Sequence, residues 1–376
     1  MDYEFIRFIW WILVGVLLSG FVIMDGHDMG VGVLSLIIGK NDTERRISIN
    51  SVAPHWDGNQ VWFITGGGAI FAAWPLIYSA AFSGFYIAML TVLWTLFLRP
   101  VAFEYRSKLA HIKWRKSWDI VLFIASGVAP LVFGVAFGNL LQGVPFHLDG
   151  DLRAFYSGSF FALLNPFALL CGLLSLIMIV FHGANYLVIR TDGALQKRAK
   201  TTSTICGVIV VLLFAINGYI VAHMNGFIAT NLDPNGPSNP LLKTVTISQG
   251  AWLLNYKMYP LTVVLPILGF LGAILGIVFI RKNCGVKAFI CSSISMLGII
   301  FTVGSAMFPF LMPSSTDPKS SLTIWDCTSS EHTLNIMLVA AVIFTPIVLI
   351  YTSWAYKVMS GKITDKKIID NSTNLY

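Results

Sequence analysis

Nine runs of apolar residues follow one another along the chain, with short polar breaks between them. They lie near 8–37, 58–80, 83–102, 118–141, 163–188, 203–226, 259–280, 288–312 and 333–357. A bilayer-crossing helix needs about 20 largely apolar residues. The pattern therefore predicts an all-α integral membrane protein with nine transmembrane helices, one polytopic domain over 1–376. The first run is not expected to be a cleaved leader. Its amino end, MDYEFIR, mixes acid with base, its apolar stretch is too long, and no small-residue cleavage site follows.

Composition supports the membrane reading. The chain is 56% hydrophobic and only 11% charged, against about 25% charged in soluble domains. The net charge of +7 changes meaning once its residues are placed. Twenty of the 25 Lys and Arg fall in the breaks after the first, third, fifth and seventh runs, or in the tail. They include Lys40, Arg45, Arg106, Arg198, Lys282, Lys366 and Lys367. Basic residues concentrate on the cytoplasmic side, so the amino terminus is expected to be periplasmic and the carboxyl terminus cytoplasmic. The basic excess then reflects topology, and the expected surroundings are membrane lipid rather than nucleic acid. The five cysteines form no C-x-x-C pair, and no disulfide framework is expected.

Several ionisable residues interrupt the apolar pattern. Asp25, His27 and Asp28 sit inside the first run; His55 and Asp57 head the second; Arg99 ends the third. Charge in hydrocarbon costs about 2.5–3.5 kcal/mol per residue even on lenient scales, and chains keep it for proton or ion movement or for holding helices together. Asp28 lies 20 residues beyond Phe8, about 30 Å along a helix. Asp25 and Asp28 are three residues apart and share a helix face. With Asp57 and Arg99 they are expected to converge at the cytoplasmic edge. Carboxylates sharing a low-dielectric site cannot all ionise cheaply, so at least one is expected to hold a proton. The residues alone leave three readings open: proton handling, a static clamp in which Asp28 or Asp57 pairs with Arg99 while Asp57 caps the second helix, and plain surface exposure.

Other features are less specific. Of the seven histidines only His27 and His182 lie well inside a run, and no two are spaced as a helical ligand pair. Haem or metal ligation by this chain is not expected. Gly66, Gly67 and Gly68 point to close helix packing. Residues 227–258, rich in Asn, Pro and Ser, are expected to form an irregular loop. The N-x-S/T matches at Asn41 and Asn371 fall on the cytoplasmic side and are read as chance.

The chain closely resembles subunit II of the bacterial cytochrome bd-type ubiquinol oxidases, in their proteobacterial form. The resemblance rests on GFVIMDGHDMGVG at 20–32, NDTERRISINSVAPHWDGNQVWFITGGGAIFAAWP at 41–75, FSGFYIAML at 82–90 and LFLRPVAFEYRSK at 96–108. It continues in GVAFGNLLQGVPF at 134–146, LLNPFALL at 163–170, AMFPFLMPSS at 306–315 and SLTIWDCTSS at 321–330. It covers most of the chain and is weakest at 190–260. The resemblance implies two four-helix bundles plus one peripheral helix. It implies an electrogenic oxidoreductase complex of the cell inner membrane that oxidises ubiquinol, reduces oxygen to water and takes protons from the cytoplasm. Haem b and haem d would be ligated by subunit I, which this chain would stabilise, and a small single-helix accessory subunit would complete the complex. A proton path would run through Asp28 and Asp57, tuned by Asp25 and Arg99, and a structural ubiquinone would lie against Trp62. His27 carries no role from the resemblance. Two alternatives from other classes are an ion-coupled secondary transporter and a purely structural membrane partner. Nine helices divide poorly into inverted halves, which argues against the transporter.

Overall fold

The computed structural model describes residues 2–364 and 368; Lys366, Lys367 and Asn371 lie outside them. Helix α1 spans Tyr3–Ile38 and the short α2 spans Asp42–Val52. Then come α3, Trp56–Ala73, α4, Pro75–Gly84, α5, Tyr86–Arg106, and α6, Ile112–Gln142. A hairpin of β1 (Phe146–Leu148) and β2 (Ala154–Tyr156) leads into α7, Pro166–Arg190, and α8, Gly193–His223. A second hairpin pairs β3 (Asn225–Thr230) with β4 (Thr244–Gln249), followed by the short α9, Leu254–Met258. Last come α10, Val264–Arg281, α11, Gly285–Met307, a small pair β5 (Phe310–Met312) and β6 (Leu322–Thr323), and α12, Glu331–Val358.

Among the described residues, eight helical stretches are long and apolar enough to cross a membrane, and α3 with α4 forms a ninth, broken one bent by 118°. The continuous second span expected at 58–80 is therefore interrupted. The cause is Trp74–Pro75. A residue before proline is pushed out of the helical region, and Trp74 sits at φ −133°, ψ 75°. Carbonyls freed by such a break must find partners in a membrane protein. Ser329 supplies them: its hydroxyl donates to the Ala72 carbonyl and its backbone N–H to Ala73 at 2.9 Å. Trp74 is buried and its indole faces the Ile324 carbonyl.

Apolar-run counting also misses helix without apolar character. α8 starts ten residues before the expected 203 because GALQKRAKTT is a polar extension of the same helix. α2 forms in what the hydrophobic pattern leaves as a loop. The Asn41 side chain accepts from the Glu44 N–H at 2.8 Å and the Glu44 carboxylate accepts from the Lys40 N–H at 2.7 Å, a reciprocal cap. Residues 227–258 are irregular only in part. FIAT and TVTI pair in register as β3 and β4, with the Pro- and Asn-rich residues confined to the connection.

α1 is the central element, packing against α3, α6 and α7. It meets α7 at backbone distance: a Cβ on Gly30 would lie 2.3 Å from the Ile179 carbonyl and 3.0 Å from the Gly183 Cα. The run Gly66–Gly68 behaves differently from its expectation. Gly66 faces Leu17 and Leu18 of α1 at ordinary distance, while a Cβ on Gly67 or Gly68 would meet nothing within 4 Å among the described residues. α10 and α11 form an intimate pair against α8 and α7. α12 is almost uncovered, only 6% of its most apolar window being buried.

The two ends of the bundle are tied differently. At the end rich in Lys and Arg, Arg106 donates to Asp119 at 2.5 Å and to Asp42 at 2.8 Å. Arg45 also reaches Asp119, Arg115 reaches Asp42, and Arg198 reaches Glu44. At the other end the fully buried Arg7 has neutral partners: Thr328, the Pro234 and Gly236 carbonyls and the Tyr3 ring. The buried pair Lys243–Asp326, 2.8 Å apart, lies in the same connecting layer as the hairpins. All five cysteines are free.

Two outcomes follow for stability. Gly30→Ala forces α1 off α7 and should cost about 1–3 kcal/mol, read as a lower unfolding midpoint of the assembled protein in detergent. Gly218→Ala, where a Cβ meets nothing, should be neutral or slightly stabilising in the same assay. Arg106→Met leaves the buried Asp119 with Arg45 and the half-exposed Asp42 with Arg115. It should cost less than the about 3–5 kcal/mol of a wholly unpaired buried charge, seen as reduced yield and earlier melting.

Candidate functional site: a buried acid cluster at the basic end

The last turns of α1 carry three ionisable residues that are wholly buried, Asp25, His27 and Asp28. Helix geometry explains their divergence. Asp25 and Asp28 share one side of α1, while His27 is rotated about 100° from Asp28. Each meets a different helix.

Asp25 meets α5. Arg99 reaches it with both guanidinium nitrogens, Nη1 to Oδ2 at 2.8 Å and Nη2 to Oδ1 at 2.6 Å, and both side chains are buried. This bidentate geometry is the strongest common form of carboxylate recognition. Arg99 thus pairs with Asp25, not with Asp28 or Asp57 as the clamp reading had it.

Asp28 meets α3. Its Oδ2 accepts from Asn59 Nδ2 at 2.7 Å. The second Asn59 proton goes to the hydroxyl of Tyr356 on α12, also at 2.7 Å. Asp28 Oδ1 lies 3.2 Å from His27 Nε2 and makes no regular hydrogen bond. The Tyr356 hydroxyl is 3.4 Å from the same His27 nitrogen. Tyr356 also stacks on His55, ring centroids 4.0 Å apart and nearly parallel. Burial, followed by the charge of Arg190, holds His55 down to about 4, so its ring is neutral at neutral pH.

His27 packs against the Tyr186 ring at 4.3 Å and the His182 ring at 6.0 Å on α7. Its Nδ1 donates to the Ile23 carbonyl at 3.1 Å, and His182 Nε2 donates to the same oxygen at 3.0 Å. The other His182 nitrogen is 2.7 Å from the Ser292 hydroxyl. Both intramembrane histidines therefore spend their ring nitrogens on protein partners. Among the described residues no group of three His, Cys, Asp or Glu is placed to hold a metal ion.

Asp57 lies apart. It is two residues from Asn59, hence about 200° around α3, and it is exposed. It begins a stripe of exposed positions, Asp57, Val61, Ile64, Gly68 and Phe71, at helical spacing. It does not cap α3: His55 occupies that place and no side chain bonds there. Neighbouring Trp56 is buried and stacks on Phe103. Trp62 is half-buried with its ring against Gly20 of α1.

The structure thus brings together Asp25, Asp28 and Arg99 and separates Asp57 from them. Asn59 and Tyr356 were missed by sequence reasoning. Asn59 was visible as a polar residue inside WDGNQVW, but its face could not be known. Tyr356 sits near the end of an ordinary apolar run, more than 300 positions from Asp28, and nothing local marks it.

The cytochrome bd terminal oxidase subunit II family matches residues 6–359. The chain is 53% identical over the whole of both chains to cytochrome bd-I ubiquinol oxidase subunit 2 of Escherichia coli K12. It is 51% identical, again over full length, to the probable cytochrome oxidase subunit 2 of Haemophilus influenzae. With cytochrome bd ubiquinol oxidase subunit 2 of Bacillus subtilis it shares 35%, over 96% of this chain and 97% of that one. The fold superposes on a chain of the bd oxidase of Geobacillus thermodenitrificans with TM-score 0.69, covering 94% and 98% of the two chains at 14% identity. The chain belongs to the cytochrome bd terminal oxidase subunit II family.

Proposed function

We propose that the chain is the second subunit of a terminal quinol oxidase of the bacterial inner membrane, in a complex that oxidises ubiquinol and reduces oxygen to water. Its task is to stabilise the haem-bearing subunit I and to lead protons in from the cytoplasm through Asp28. The observation that carries the proton role is local. Asp28 is buried in the membrane-spanning bundle, and the nearest guanidinium is already spent on Asp25. A carboxyl kept there without its own cation suits a group that takes up and releases protons.

The remaining assignments rest on family membership and on the arrangement of helices. Clustering of Lys and Arg at one end favours a periplasmic amino terminus and a cytoplasmic carboxyl terminus. In this reading the helices group as two four-helix bundles, α1, α3–α4, α5 and α6, then α7, α8, α10 and α11, with the almost uncovered α12 peripheral. The exposed stripe of α3 with Leu93, Trp94 and Phe97 of α5 is an apolar face suited to subunit I. Asp57 at its edge would be the surface acid that takes protons first, and Arg99 would set the charge around Asp25. Haem b and haem d belong to subunit I in this reading, because His27 and His182 have no free ring nitrogen pair. A structural ubiquinone would lie against Trp62, and a single-helix accessory subunit would bind elsewhere on the complex.

Asp28→Asn keeps the shape and removes the titratable group. In the assembled, haem-loaded complex, quinol oxidase turnover should fall by about a hundredfold, the lower end of the range for a positioned proton-transfer group. Asp57→Asn should act in the same direction, and the double variant should lose less than the sum because both serve one route. Wild-type turnover by Asp28→Asn across the pH range would remove that residue from the path. For cofactors, the chain expressed without subunit I should show no haem Soret band after purification, and co-expression should restore it in the complex. Stoichiometric haem on the chain alone would move the ligands into this subunit.

A further inference from the structure

The hydrogen inventory around Asp28 does not close with ordinary charges. A backbone carbonyl can only accept, so the 3.1 Å contact with Ile23 places a proton on His27 Nδ1. In the neutral ring Nε2 is then an acceptor. That nitrogen lies 3.2 Å from Asp28 Oδ1, which is also an acceptor when the carboxyl is ionised. Two buried acceptors at that distance repel. Among the described residues no other donor reaches Oδ1 in regular hydrogen-bond geometry. Asn59 has given its two protons to Asp28 Oδ2 and Tyr356. The Tyr356 hydroxyl has one proton to give, and the acceptor before it is His27 Nε2 itself.

We propose that His27 is a further proton-handling residue, sharing with Asp28 one proton across the 3.2 Å gap between Nε2 and Oδ1. This rests on the proton role of Asp28 but adds a residue and a mechanism to it. The proton has two homes. On Oδ1 it leaves a neutral carboxylic acid donating to a neutral imidazole. On Nε2 it leaves a carboxylate beside an imidazolium. No bond to a heavy atom changes, and the pair is neutral either way. Neutrality is what the site requires. Asp25 and Arg99 cancel each other, so an ionised Asp28 alone would leave one uncompensated buried charge, the state membranes penalise most. Tyr356, pinned by Asn59 and stacked on the neutral His55 near the helix ends, links the shared proton to the basic end of the bundle.

The groups facing the pair come from every neighbouring element. They are Asp25 on α1, Arg99 on α5, Asn59 and the preceding His55 at α3, Tyr356 on α12, and Tyr186, His182 and Arg190 on α7, with Phe289 of α11 closing the side. Of these, Arg99 is bound to Asp25, and His182 donates to the same Ile23 carbonyl as His27. Arg190 bears on the ring through its charge without a hydrogen bond.

The test uses the assembled oxidase with its haems. Infrared spectra should contain a protonated-carboxyl band that Asp28→Asn abolishes. His27→Phe removes the home on the ring and the acceptor that faces the Asp28 carboxyl. It should shift that band to higher frequency and displace the pH profile of turnover by about one unit or more, a tenfold change in proton affinity. His27→Gln is the discriminating variant, and it carries the test if the phenylalanine variant does not assemble. Its amide can accept from the Asp28 carboxyl but cannot take the proton, so the band should stay near its wild-type position while the pH profile still moves. Absence of an Asp28 carboxyl band, or a wild-type pH profile in His27→Gln, overturns the shared proton. Wild-type turnover in Asp28→Asn with the band behaving as expected would instead overturn the route through Asp28 and leave the shared proton standing.

Discussion

The bidentate contact between Arg99 and Asp25 sets the terms for everything near it. In a water-excluded interior a guanidinium must be matched, and Asp25 matches its charge through two short hydrogen bonds. The match fixes α5 against α1 and orients the face of α1 that carries the acids. It also removes the one strong counter-charge that Asp28 would otherwise use. Asp28 is left to an amide from α3 and to the nearby Nε2 of His27. One ion pair thereby divides two aspartates three residues apart into one matched by a guanidinium and one without a cation of its own, the one to which the proposed proton role falls.

The rest of the bundle serves to hold this cluster at a fixed depth. Gly30, one and a half turns beyond Asp25, lets α1 touch the backbone of α7, and the same approach brings Tyr186 and His182 against His27. The ion-pair network of Arg106, Asp119, Asp42 and Arg45 ties α2, α5 and α6 together just beyond the acids. α12 touches little of the chain, yet Tyr356 is built into the cluster through Asn59. A helix so lightly packed contributes one side chain to the site rather than a share of the core.

The opposite end of the molecule shows how a broken helix is tolerated. Trp74–Pro75 ends α3 in the middle of an apolar run, and Ser329 takes over the carbonyls that the break releases. Arg7 ties the start of α1 to 234–238 and Thr328 in the same layer, so the beginning of the first helix and the break in the second share one connecting segment.

Apolar length, basic asymmetry and the motif around Asp25–Asp28 were legible along the chain, because each depends only on composition over a local stretch. They were enough for the fold class, the approximate spans and the presence of an intramembrane acid site. The bend at Trp74 lies inside an unbroken apolar run; the proline after it ends the helix, but the angle of 118° depends on what satisfies the freed carbonyls. The polar start of α8 and the hairpin of β3 and β4 escaped because apolar-run counting sees neither a solvated helix nor a short amphipathic strand. Which acid takes Arg99 could not be read at all. Asp25 and Asp28 lie on the same helical face, and the choice falls to the rotation of α1 against α5, set by packing over the whole bundle. The meeting of Asn59, Tyr356 and His27 is likewise a product of tertiary contact, with Tyr356 297 positions from Asn59 and 329 from His27. The sequence by itself determined that this protein holds charge inside a membrane; only the three-dimensional packing decided which charges cancel, and so which buried carboxyl is left without a cation of its own.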